Sequence, residues 1–198
     1  MKKNNIRKLV IISIVSFCLL FTGYKIINLI KAPINNNEQI ILSNEDKENF
    51  IKKVAPYAVY VQKKTHVLAS IQIAQAILES NWGQSTLSKK YNNYFGIKAS
   101  GTNPFVIMNT EEYINNRYVT VKAKFARFDN IGESFMMHAE LFTQNKRYEN
   151  VVNASNYIQA AYALKNAGYA TDISYTHKII SLIKSYHLYK YDQNSLGE

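Results

Sequence analysis

The chain has 198 residues, with 24 Lys and Arg against 14 Asp and Glu, for a formal charge of +10. That length holds one domain with its own core plus a short extra segment. Six basic and no acidic residues fall in the first 31 positions, so the other 167 carry 18 basic against 14 acidic groups. A net +4 spread over that length suits an anionic polymer but does not make a nucleic-acid-binding protein.

From Leu9 to Tyr24 the chain is uncharged, and the apolar stretch continues past Lys25 to Ile30. Twenty-two residues of helix reach about 33 Å, enough to cross a bilayer, and the stem of Lys25 is long enough to snorkel to the headgroups. Residues 1–8 form a basic tail that should stay cytoplasmic while the rest is exported. No A-x-A-like cleavage site follows, so an uncleaved signal-anchor over 9–30 is expected rather than a secreted chain released by cleavage. The single cysteine, Cys18, lies within this segment, leaving the exported part without a disulfide or thiol nucleophile.

Residues 31–45 are a polar, Asn-rich tether, and a domain is expected over 46–192. Ser43 or Asn44 can cap a helix opened by Glu45, Asp46 and Glu48, which is expected to break at Pro56. A second helix is expected over 67–80, closing near Gly83. Strict alternation from Val119 to Phe125, after Asn115-Asn116, predicts a β-hairpin in which Glu112 faces Val119 across the strands. Glu111 then points to the opposite face. Asn130 and Glu133 form a capping-box pair ahead of a helix bearing Phe135, Ala139 and Phe142. Ser155 can cap a further helix ending at Gly168, and Thr171 a last one carrying Ile173, Ile180 and Ile183. The fold class is α+β, mainly helical and two-lobed, with a small β-hairpin lobe and a cleft between the lobes.

One carboxylate stands out. Gln72, Gln75 and Glu79 form a narrow polar stripe on an otherwise apolar helix, and the stripe should face water. Glu79 falls in the last turn, where unpaired carbonyls and apolar neighbours both raise a carboxyl pKa, the condition a general acid needs. A Glu that reaches solvent past the helix end, or pairs with a lysine, fits the same residues. His66, His138, His177 and His187 have no metal-ligand spacing and read as surface or satisfied core residues; no metal or cofactor is expected.

The stretch Ala74-Gln75-Ala76, Glu79-Ser80, Trp82-Gly83, followed by Asn93-Tyr94-Phe95-Gly96-Ile97-Lys98, resembles the glucosaminidase family of peptidoglycan hydrolases, glycoside hydrolase family 73. The pieces "VKAKFARFDN" (121–130), Arg147-Tyr148 and "LKNAGYATDISY" (164–175) match in order, so the resemblance spans about 50–190; flagellar members share this motif order. It implies a lysozyme-like fold and a hydrolase of peptidoglycan glycan strands, with Glu79 as general acid and Glu112 as second carboxylate. Tyr169 matches an aromatic near the catalytic centre and could orient an acetamido group or a water; packing behind the Gly168 cap is its other reading. Gln75, Trp82, Asn93 and Phe95 are the glycan-binding residues the resemblance implies, with Trp82 and Phe95 expected to wall the cleft and Asn93 better suited to fixing the loop. A muramidase or lytic transglycosylase, or a catalytically inactive wall-binding scaffold, shares much of this pattern.

Overall fold

The computed structural model describes residues 42–193 apart from 103, 115, 116 and 171. The expected basic tail, the membrane span over 9–30, most of the tether, the Asn115-Asn116 turn and the Thr171 cap therefore lie outside the described residues. No helix among the described residues is long and apolar enough to cross a membrane.

Helix α1 runs Asn44–Thr65. Ser43 starts it: its hydroxyl accepts from the Asp46 N–H at 3.1 Å, and the Asp46 carboxylate accepts from the Ser43 N–H at 3.0 Å. The expected break at Pro56 does not occur, because the helix passes through it unbroken. Pro56 lies on the exposed side, where water can satisfy the carbonyl its ring leaves unbonded. Val54, Ala55, Ala58 and Val61, all buried, anchor the helix to the core on either side of that point.

Helix α2, Ala69–Ser80, packs against α1 and against three later helices, so its side chains from Ala69 to Ile77 are all buried. No side chain of its own caps its start. Distant residues do so instead: Gln62 Oε1 accepts from the Ala69 N–H at 2.6 Å, and the Asp192 carboxylate accepts from the Ser70 N–H at 2.8 Å and its hydroxyl at 2.7 Å. The expected wet stripe is corrected here. Gln72 and Gln75 are 0% exposed; Gln72 donates to the Val67 carbonyl and Gln75 to the Tyr175 hydroxyl. The helices around α2 close over both sides, and of the three stripe residues only Glu79, at its end, is half-buried.

Helix α3, Thr86–Tyr91, is capped by Ser85. Strands β1, Phe105–Ile114, and β2, Arg117–Ala126, pair antiparallel from Phe105↔Ala126 to Ile114↔Arg117, with Glu112 opposite Val119 as the alternation predicts. The base of this sheet is tied to the loop after α3 by a bridge between Lys98 and Phe125 and by the Ala126 N–H donating to the Ile97 carbonyl.

Helix α4, Ile131–Thr143, starts at the expected Asn130–Glu133 box and lies against α1. A 3₁₀ turn, Lys146–Tyr148, leads into α5, Glu149–Val152. Helix α6, Tyr157–Asn166, is capped by Asn156 rather than Ser155, whose hydroxyl instead donates to Gln159. Helix α7, Tyr175–Ser185, begins later than expected, because the Asp172 carboxylate accepts from both the N–H and the hydroxyl of Ser174 and holds a turn there. Ile173 consequently sits in that turn and is 84% exposed, not on the buried helix face. Helix α8, Lys190–Gln193, carries Asp192 back to the start of α2. The fold is thus mainly helical with one small two-stranded antiparallel sheet.

Candidate active site

Glu79 is presented by the last turn of α2, and the chain behind it is fixed with unusual strictness. Asn81, Trp82 and Gly83 take left-handed backbone angles in succession, with φ of 51°, 58° and 72°. A bulky residue in that region is disfavoured by roughly 1–2 kcal/mol, so the surroundings must hold it. They do so through Ser80. Its hydroxyl donates to the Ala76 carbonyl at 2.5 Å and accepts from the Gly83 N–H at 2.7 Å, while its carbonyl accepts from the Ser85 N–H at 2.9 Å. The Trp82 N–H returns to the Ile77 carbonyl at 3.0 Å. The result is a stiff platform immediately after Glu79.

Trp82, half-buried, stands edge-on to Phe50 (6.0 Å between centroids) and to Tyr186 (4.9 Å), with Lys47 Nζ 5.8 Å from its ring. It is the one expected glycan contact, among those whose side chains are described, that keeps a partly open ring. The other three are interior. Asn93 is 1% exposed: its amide donates to the Ile97 and Ala126 carbonyls and its oxygen accepts from the Ile97 N–H. It clamps the loop to β2, which is the loop-fixing role and leaves no open face for a ligand. Phe95, 2% exposed, stacks flat on His138 at 3.9 Å between centroids. Gln75 is enclosed one turn before Glu79.

Tyr169 is 1% exposed. It follows Gly168, whose left-handed φ of 66° ends α6, and its N–H returns to the Leu164 carbonyl. Its ring packs among Phe142, Tyr148 and Tyr175, and its hydroxyl lies 3.3 Å from His138 Nε2. Tyr175 in turn takes the hydrogen bond from Gln75 Nε2 at 3.0 Å. The structure therefore joins Phe95, His138, Tyr169, Tyr175 and Gln75 into one interior group that returns to the helix bearing Glu79. Of Glu112, it gives the backbone register opposite Val119.

Sequence reasoning missed two members of this group. His138 shares a helical face with Phe135 and Phe142, a spacing that marks it as buried, and burial pushes its pKa down to about 3. Tyr175 closes the matching stretch 164–175, but its role was not legible, since its partner lies 100 residues away. Among the described residues no group of three or more His, Cys, Asp or Glu could hold a metal ion.

Comparison with known proteins places these features in context. Residues 55–188 match the family model Glucosaminidase, described as mannosyl-glycoprotein endo-beta-N-acetylglucosaminidase. The chain is 41% identical over 154 residues to the exo-glucosaminidase LytG of Bacillus subtilis, an alignment covering 75% of this chain and 55% of that protein. Among solved structures, the catalytic domain of the autolysin Auto from Listeria monocytogenes superposes with a TM-score of 0.68 at 32% identity, covering 87% of this chain and 97% of that one. A C-terminally truncated glycoside hydrolase domain of Salmonella typhimurium FlgJ gives 0.62 at 34%, covering 71% and 97%. The chain spans about half the length, or less, of the curated relatives it matches.

Proposed function

The chain belongs to the glucosaminidase family, and on that premise we propose that it is a peptidoglycan hydrolase, an endo-β-N-acetylglucosaminidase cleaving the β-1,4 bond between GlcNAc and MurNAc. The supporting observation is the placement of Glu79, half-buried at the end of an otherwise enclosed helix and followed by a rigid left-handed turn. In this reading Glu79 acts as general acid. It gives its proton to the glycosidic oxygen while the C1–O bond breaks, the bonding pair leaving with that oxygen and C1 taking oxocarbenium character.

Glu112 is the second carboxylate, presented from β1. Two roles fit it. It takes a proton from a water that attacks C1, with inversion and a carboxylate separation of roughly 6.5–9.5 Å; or it orients the sugar's 2-acetamido oxygen, which attacks C1 itself and is then released by water. Tyr169 serves the same centre from behind, and Trp82 offers its partly open ring to a sugar face. Gln75, Asn93 and Phe95 act by holding α2 and the loop in place. In this reading the glycan strand lies between the helical part and the hairpin. Residues 9–30 anchor the chain in the cell membrane, with the catalytic domain outside and within reach of the wall.

Borohydride reduction and mass spectrometry of digested walls test the bond assignment. Reduced GlcNAc at the new ends supports it; reduced MurNAc marks a muramidase and anhydro-MurNAc a lytic transglycosylase, and either overturns it. The relative LytG is named an exo-glucosaminidase, which favours a second reading, release from strand ends. Early accumulation of small fragments from long strands would select it, and a broad range of lengths the endo mode.

A further inference from the structure

We propose that His138 is a positioning residue for the glycosidase site: as a neutral Nε2–H imidazole it donates its hydrogen bond to Tyr169 Oη and thereby directs the tyrosine's own proton away from itself. This rests on the reading of Tyr169 as part of the catalytic centre.

The geometry limits the alternatives. The His138 ring is held flat against Phe95, with 5° between the planes, and edge-on to Phe142 at 4.9 Å, so it is not placed to swing toward another partner. Its Nε2 lies 3.3 Å from Tyr169 Oη, whereas its Nδ1 is buried and has no hydrogen-bond partner among the described residues. A neutral imidazole carries one N–H. Placing it on Nδ1 would bury an unsatisfied donor and use the tyrosine's proton to fill Nε2. Placing it on Nε2 satisfies the donor and leaves only a bare lone pair on Nδ1. Orphaned buried N–H groups are the rarer and costlier of the two. The imidazolium form would add the same orphaned donor as well as a buried charge, in keeping with the depressed pKa of this residue.

The direction of this bond matters for chemistry. A tyrosine that accepts from histidine has its O–H to donate elsewhere, whereas one that donates to histidine presents only lone pairs. A donor hydroxyl suits an acetamido oxygen or a carboxylate, the two groups the reaction must hold. His138 thus sets which of these faces Tyr169 offers, and Phe95, on the N-x-F-G-I-K loop, sets the orientation of His138.

Two measurements on the full chain test this. The first is long-range proton–nitrogen NMR of protein labelled with ¹⁵N-histidine in detergent micelles. We expect a neutral Nε2–H signature for His138 from pH 8 to pH 5; an Nδ1–H or doubly protonated ring in that range would overturn the assignment, and no variant need fold. The second is kinetics on soluble wall fragments. His138→Phe keeps the packing and His138→Asn moves the amide donor to the wrong position; each should lower kcat about tenfold with KM unchanged. His138→Gln returns a donor near Nε2 and should stay within about threefold of the wild type. Equal losses in Gln and Phe, or a loss confined to KM, would overturn the positioning role. In a Tyr169→Phe background the His138 substitutions should become silent. Full activity of Tyr169→Phe would instead overturn the part given to Tyr169, a result separable from the NMR outcome.

Discussion

Phe50 lies so close behind Gly83 that any side chain there would push it aside: a Cβ at Gly83 would lie 2.8 Å from Phe50 Cε2 and 3.0 Å from its Cδ2. The φ of 72° adds a conformational penalty for any side chain. Gly83→Ala should therefore destabilise the domain by about 2–3 kcal/mol, or about 4–12 °C in thermal melting. A melting temperature unchanged from wild type would show that the turn after Glu79 is less fixed than argued.

Glu79→Gln keeps the size of the side chain and removes the proton that the proposed reaction needs. Hydrolysis of purified walls, followed as loss of turbidity, should fall by at least about 10² while the circular dichroism spectrum and melting point stay near wild type. Glu112→Gln should lower activity by a comparable factor and Glu111→Gln by less than about threefold. Full clearing by Glu79→Gln would exclude it as the acid.

Asp192 is pulled in two directions. Burial raises its carboxyl pKa above the ordinary value, while hydrogen bonds from Ser70 and Ala69 oppose the rise. Because the net folded value is raised, its contribution is fully present below the unfolded value of about 3.8 and declines as pH rises through the folded one. Asp192→Asn does not titrate, so urea unfolding across pH 3–7 should show that decline in the wild type and lose it in the variant. Asp192→Ala, which strips the acceptor from the Ser70 N–H, should cost about 1–2 kcal/mol at any pH.

His138 gives the opposite slope. Its folded pKa is held near 3 while the unfolded chain takes a proton below about 6.5. Stability is full above the unfolded value and is lost as pH falls from about 6.5 toward 3. His138→Phe should remove that part of the acid sensitivity, measured as the change in unfolding free energy between pH 7 and pH 5.

The sequence made the local devices legible where the signal was short-range. Ser43 as one of two cap candidates, Asn130 with Glu133, and the hairpin register through Glu112 and Val119 all depend on neighbours in the chain or on a period of two. Pro56, Gln75 and Ile173 were misjudged for one shared reason. Each was read from local preference, yet packing carries α1 through Pro56, the Tyr175 hydroxyl accepts the Gln75 amide hydrogen bond inside the core, and the Asp172–Ser174 turn shifts Ile173 outward. At the site, the motif pointed to Glu79 and Tyr169, but the joining histidine was hidden because a single His on an apolar face carries no chemical signature until its neighbour is known.

The hold of Asp192 on Ser70 spans 122 residues. A ribosome makes the helix bearing Glu79 long before it makes the residue that clasps its other end, and such distant pairings form late in folding. A nascent hydrolase of the kind proposed would thus stay incompletely assembled until almost the whole domain has been synthesised, a delay written into the order of the chain itself.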